Sequence, residues 1–102
     1  MNRIPQNSVG LVSPLDFQVS VGPEGWPLKS GASLPELTIR YEMYGTMSPL
    51  RDNVILVCSP LTADAHAAGY HSLEDKSPGW WEPLIGPGKA IDTRVYCVLC
   101  CN

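Results

Sequence analysis

Two histidines, His66 and His71, stand five positions apart, with Asp64 and Asp75 close by and the hydroxyls of Ser59 and Thr62 a few residues upstream. Imidazoles and carboxylates can hold a metal ion or move protons, and a hydroxyl becomes a nucleophile when a base is held beside it. The spacing supports neither use. A metal site needs more ligands and a cleaner array than these four residues offer, so no metal is expected. His66 is expected to order its own loop through hydrogen bonds. No serine lies in a Gly-x-Ser-x-Gly elbow, the strained strand-to-helix turn that exposes a nucleophilic serine. No nucleophile, base or acid of a catalytic triad can therefore be assigned.

Four cysteines and one glycine-rich turn invite other chemistry. Cys97, Cys100 and Cys101 fall within residues 94–101, which read as a strand. Side chains alternate along a strand, so Cys97 and Cys100 face opposite ways despite their Cys-x-x-Cys spacing. Cys97 and Cys101 share a face but lie about 13 Å apart at roughly 3.3 Å per residue. Neither pair makes a zinc site, and free cysteines packing as small hydrophobes are expected. Gly86-Pro87-Gly88-Lys89 looks superficially like a phosphate loop. That motif needs Gly at position 83 and Ser or Thr at position 90. The chain has Pro83 and Ala90, so a turn is expected.

The elements that would position these residues are legible as patterns. Val54–Cys58 is an unbroken apolar run rich in β-branched residues, which predicts a short strand buried on both faces. It runs into a loop of small residues, Ser59, Pro60, Thr62, Ala63, Ala65, Ala67, Ala68 and Gly69, where backbone can approach a ligand closely. Open α/β sheets place their sites in such loops at the carboxyl ends of strands. Residues 37–44 show the clearest alternation. Leu37, Ile39, Tyr41 and Met43 lie on one face, and Thr38, Arg40, Glu42 and Tyr44 on the other. Residues 17–21 alternate more weakly, and a short strand near Leu28 fits between turns. An antiparallel ribbon at a sheet edge, followed by parallel strands at 54–58 and 94–101, is the predicted order. Ser77-Pro78 could cap and open a short helix between the parallel strands, which Pro83 and Gly86 would end. Residues 1–15 read as a surface arm.

Several segments together resemble one family. Residues 54–69 and 78–93 are similar, in order and spacing, to the amino-terminal part of the homoserine O-acetyltransferases, members of the α/β-hydrolase superfamily. Asn7-Ser8-Val9-Gly10-Leu11-Val12, Ser30-Gly31, Leu34-Pro35, Tyr41-Glu42 and Tyr44-Gly45 extend the likeness. The resemblance implies an incomplete α/β fold: antiparallel edge strands leading into a mostly parallel sheet, with residues 1–102 forming the first portion of one α/β-hydrolase domain. It implies that the backbone N–H of Leu61 is one donor of the oxyanion hole, since the loop after the third strand supplies that group. It makes Thr62, Trp80 and Trp81 candidates for the pocket wall, although Trp80-Trp81 could equally be core. It implies L-homoserine and acetyl-CoA as small-molecule substrates of the parent enzyme, with no bound cofactor, and it leaves a homodimeric parent open. Succinyl-CoA as donor, serine as acceptor, and a non-catalytic remnant are the alternatives. Where the family usually has His-Ala, this chain has Ser59-Pro60, and Pro60 lacks an N–H and fixes φ. The fifth strand of the α/β-hydrolase order lies beyond these residues, so Val54–Cys58 is expected to expose an apolar edge.

Composition closes off other classes. The chain has 102 residues, 44% hydrophobic and 17% charged, too apolar for a disordered polypeptide. Ten prolines and nine glycines point to long ordered loops. The net charge is −3 and the seven basic residues are scattered singly, so no patch for nucleic acid is expected. No apolar run approaches the roughly 20 residues that span a bilayer, and the opening Met-Asn-Arg-Ile-Pro-Gln-Asn-Ser lacks a signal-peptide core. The expected location is the cytoplasm, without membrane partners.

Overall fold

The computed structural model describes residues 4–102. Its centre is a four-stranded mixed sheet in the order β1-β4-β8-β5. β1 is Leu15–Gln18, β4 is Thr38–Tyr44, β5 is Val54–Cys58 and β8 is Cys97–Cys101. β1 and β8 both pair antiparallel with β4, and β5 pairs parallel with β8, Val54 opposite Cys97 through Cys58 opposite Cys101. An antiparallel ribbon therefore leads into a parallel pair, as the patterning predicts. Two small ribbons stand apart: β2 (Trp26–Pro27) with β3 (Ser33–Leu34), antiparallel, and β6 (Ile85–Gly86) with β7 (Ile91–Asp92), parallel.

Only one face of the sheet is well covered. Tyr44, Val57, Val98 and Cys100 pack there against Ala67, Ala68 and Ile85. On β4 the buried face is the one carrying Glu42 and Tyr44, each 1% exposed, while Ile39, Tyr41 and Met43 are only half-buried. On the opposite face Phe17, Ile39, Tyr41, Leu99 and Cys101 line an apolar depression of about 300 Å³.

The expectation that Val54–Cys58 is buried on both faces fails. β5 is the outer strand of the sheet, and its side chains alternate between buried Val57 and exposed Val54, Leu56 and Cys58. An unbroken apolar run reports what a strand can bury; its neighbours decide what it does bury. β8 has a strand on each side and is the more buried of the two. The short helix expected from Ser77-Pro78 is also absent, since none of the described residues is helical. The N–H groups of Gly79, Trp80 and Trp81 bond instead to the carbonyls of Gly69, His66 and Ala67. Tertiary partners take the donors that a helix cap would have satisfied, and tight turns (Glu82 N–H to Gly79, Leu84 N–H to Trp81) follow. No helix among the described residues is long and apolar enough to cross a membrane. Of the expected surface arm, residues 1–3 lie outside the described residues. The remainder is anchored by a bridge between Leu11 and Tyr70, and Ser8 is buried.

All four cysteines are free, with Cys97 and Cys100 buried. Burial pushes the Cys100 thiol up to about 11, which keeps it protonated and unreactive at neutral pH. Gly86-Pro87-Gly88-Lys89 forms a turn, closed by Lys89 N–H on the Gly86 carbonyl at 3.1 Å.

The open edge of β5 and the bare apolar face have a solution consequence. Exposed, flat, apolar strand edges template association. The isolated chain is expected to self-associate as concentration rises. Leu56, 59% exposed on β5, is the position at which a charge blocks this with least cost to the core. Leu56→Lys is expected to shift the light-scattering mass toward the monomer without altering the circular dichroism. A wild-type chain that stays monomeric at all concentrations rules the mechanism out.

Candidate functional site

β5 ends at Cys58 and the chain turns at once. Ala63 N–H bonds the Pro60 carbonyl at 3.0 Å, so residues 60–63 form a tight turn with Leu61 and Thr62 at its corners. A corner N–H has no partner inside such a turn, and that of Leu61 has none among the described residues. The Leu61 side chain is fully exposed. Thr62, Ala63, Asp64 and His66 then line one side of an open cleft of about 410 Å³, with Pro78, Gly79 and Trp80 on the other. The Trp80 indole N–H ties the two sides together by donating to the Asp64 carbonyl at 2.8 Å. Trp81 stacks on Trp80 with ring centres 5.6 Å apart and packs against the core. It is not among the residues lining the cleft. Both tryptophans thus pack against the core, and Trp80 also lines the cleft.

The loop that carries this wall is held from beneath by β4. The Tyr44 hydroxyl donates to Glu42 Oε1 at 2.6 Å and accepts the N–H groups of Ala67 and Ala68 at 2.9 and 3.2 Å. Burial raises the Tyr44 phenol far above its usual range, and the Glu42 carboxylate adds to the effect. His66 Nδ1 lies 3.0 Å from Glu42 Oε1, and His71 Nε2 lies 2.6 Å from Oε2. The buried carboxylate therefore has three polar partners, which is what an anion removed from water requires. A second buried acid, Glu82, accepts the Gly69 N–H at 2.8 Å and sits 3.5 Å from Lys89 Nζ. The backbones come close because the residues are small. A Cβ built on Gly79 would stand 2.2 Å from the Ala68 nitrogen.

His66 orders its loop as expected: its backbone N–H donates to Asp64 Oδ1 at 2.9 Å and its ring Nδ1 lies 3.0 Å from Glu42 Oε1. Asp75 serves the His71 turn, accepting the N–H groups of His71 and Ser72 at 2.8 and 3.2 Å. Sequence reading grouped the histidines with Asp64 and Asp75 and missed Glu42, which lies 24 and 29 positions away from them. No local signal marked it: Glu42 and Tyr44 share a strand face with Thr38 and Arg40, and a polar face of that kind ordinarily meets water.

No family model matches the chain. It is 52% identical, over 98% of its length, to a homoserine O-succinyltransferase of Acidithiobacillus ferrooxidans, of which it covers 25%. It is 50% identical, over 93% of its length, to a homoserine O-acetyltransferase of Methanosarcina acetivorans, of which it covers 17%. Among solved structures, the homoserine O-acetyltransferase of Bacillus anthracis superimposes on 90% of the chain with a TM-score of 0.81 and 39% identity, 23% of that protein being covered. The chain thus spans a quarter or less of the length of these proteins.

Proposed function

We propose, for a chain related over nearly its whole length to the homoserine O-acyltransferases and sharing the opening strands of their α/β-hydrolase fold, that it forms the first portion of a single catalytic domain and supplies half of an oxyanion hole. The observation that carries this is the N–H of Leu61, without a partner among the described residues, at the corner of the turn leaving β5 and one residue before Thr62, which lines the cleft. Acyl transfer to a hydroxyl passes through tetrahedral oxyanions, and a fixed backbone N–H stabilises them most where water is excluded. Thr62 and Trp80 wall the acyl or acceptor pocket, and Trp81 backs Trp80. The nucleophilic serine, its histidine and its acid come from elsewhere in the domain. The substrates are acetyl-CoA as donor and L-homoserine as acceptor, with no bound cofactor, and the work belongs to methionine biosynthesis in the cytoplasm.

The test is a chimaera. Residues 4–102 replace the matching quarter of the Bacillus anthracis enzyme, and homoserine-dependent thiol release from acetyl-CoA is measured. Retained turnover supports the reading. A folded chimaera without turnover, beside an active parent, defeats it. The Acidithiobacillus ferrooxidans relative favours succinyl-CoA as a second donor, so both donors are assayed. The isolated chain, lacking a nucleophile elbow, should release no thiol above the buffer rate.

A further inference from the structure

We propose that Glu42, His66 and His71 form a binding site for one divalent transition-metal ion, with zinc as the reference occupant. One ligand atom from each residue lies within 4.8 Å of the others. Glu42 comes from β4 and both histidines from the connection that follows β5. The Glu42 side chain is 1% exposed and that of His71 is 42% exposed. The site therefore has an anionic floor and an open mouth through which a hydrated ion can enter. Two imidazoles and one carboxylate, with a fourth position left for water, form a donor set that zinc accepts. Imidazole also selects borderline ions such as cobalt and nickel over magnesium or calcium.

The geometry needs one adjustment, at His71. Around a tetrahedral ion with bonds of about 2.0–2.2 Å, ligand atoms stand about 3.3 Å apart. His66 Nδ1 is already 3.0 Å from Oε1, and His71 Nε2 is 2.6 Å from Oε2. The second edge opens by about 0.7 Å to reach a tetrahedral spacing, which the partly exposed His71 ring can supply by a small rotation. The two imidazoles stack, ring centres 3.7 Å apart and tilted 31°; on a tetrahedral ion the ring centres stand about 5 Å apart, so the partly exposed His71 ring must swing outward for one ion to reach both. His66 Nε2 is buried without a hydrogen-bond partner among the described residues. Glu42 Oε1 holds the ring proton on Nδ1, so binding of an ion at Nδ1 moves that proton to Nε2. Tyr44 already donates to Glu42 Oε1 and becomes the outer partner that orients the carboxylate. The ion takes the place of the hydrogen bonds between the imidazoles and the carboxylate, and His71, at the open mouth, is the ligand that moves.

Cobalt(II) titration of the isolated chain tests this, since a tetrahedral or five-coordinate cobalt ion absorbs visibly. Self-association does not bar the measurement, because Glu42 lies on the covered face of the sheet, away from Phe17 and Leu56. The expected result is one cobalt per chain, displaced by one equivalent of zinc. Affinity should fall at least about tenfold in Glu42→Gln and in His71→Ala. His71→Ala changes a partly exposed ring and keeps the fold readable if Glu42→Gln does not fold. No saturable spectrum, or affinity unchanged in His71→Ala, overturns the proposal. So does a spectrum dominated by thiolate-to-cobalt charge transfer, which would place the ion on Cys58 or Cys101.

Discussion

Replacing Leu61 by proline in the chimaera lowers the rate of acyl transfer by about 10²–10³-fold, the usual cost of removing one oxyanion donor. The substitution deletes one hydrogen and little else. Leu61 occupies the first corner of the 60–63 turn, where proline's fixed φ is favoured. Its side chain is solvent-exposed, so no packing is lost. Pro60 would be pushed toward extended backbone, which suits a residue leaving a strand. Leu61→Ala, which keeps the N–H, should leave the rate close to unchanged. The loss belongs in kcat, because the oxyanion exists only along the reaction and not in the bound substrate. Steady-state kinetics of the two variants side by side decide the matter. A proline variant as active as the alanine variant removes Leu61 from the oxyanion hole.

Gly79→Ala should destabilise the fold by about 3 kcal/mol or more, at the upper end of overpacking costs. A Cβ there would sit 2.2 Å from the Ala68 nitrogen, 2.3 Å from the Ala67 carbonyl carbon and 2.6 Å from the His66 oxygen. All three are backbone atoms, so no flexible side chain can yield. To make room the two segments must part, and they are joined by Gly79 N–H to Gly69, Trp80 N–H to His66 and Trp81 N–H to Ala67 at 2.9, 3.0 and 2.7 Å. Parting them opens the cleft wall and strips Ala67 and Ala68 from the core. Against a typical total of about 5–15 kcal/mol, such a loss is readily measured. Urea unfolding followed by the fluorescence of Trp80 and Trp81, in the chimaera where the sheet is covered, gives the difference. A change below about 1 kcal/mol would mean that the segments are not locked together as described.

Residues 54–58 and 38–44 announce themselves as strands because β structure leaves a local signature: an apolar run in one, period-two alternation in the other. The turn after β5 and the turn at Gly86-Pro87-Gly88-Lys89 follow from small residues and proline, which act on their own backbone. The role expected of Leu61 came from the family resemblance and not from local chemistry, which by itself reads residues 59–62 as an ordinary exit from a strand. What the sequence could not decide was every matter settled between distant segments. The covered face of β4 is the one carrying Glu42 and Tyr44 because the backbone of residues 65–68 lands on it and brings polar groups that need partners. Ser77-Pro78 opens no helix because the carbonyls of residues 66, 67 and 69 reach the N–H groups of residues 79–81 first. β5 is half-exposed because it lies at an edge of the sheet, which the family resemblance implied and the apolar run by itself did not. Glu42, His66 and His71 meet only when β4 and the loop after β5 are stacked, 24 and 29 positions apart in the chain. Hydrogen bonds and burial depend on distance in space, and a sequence carries that distance only where neighbours along the chain are also neighbours in the fold.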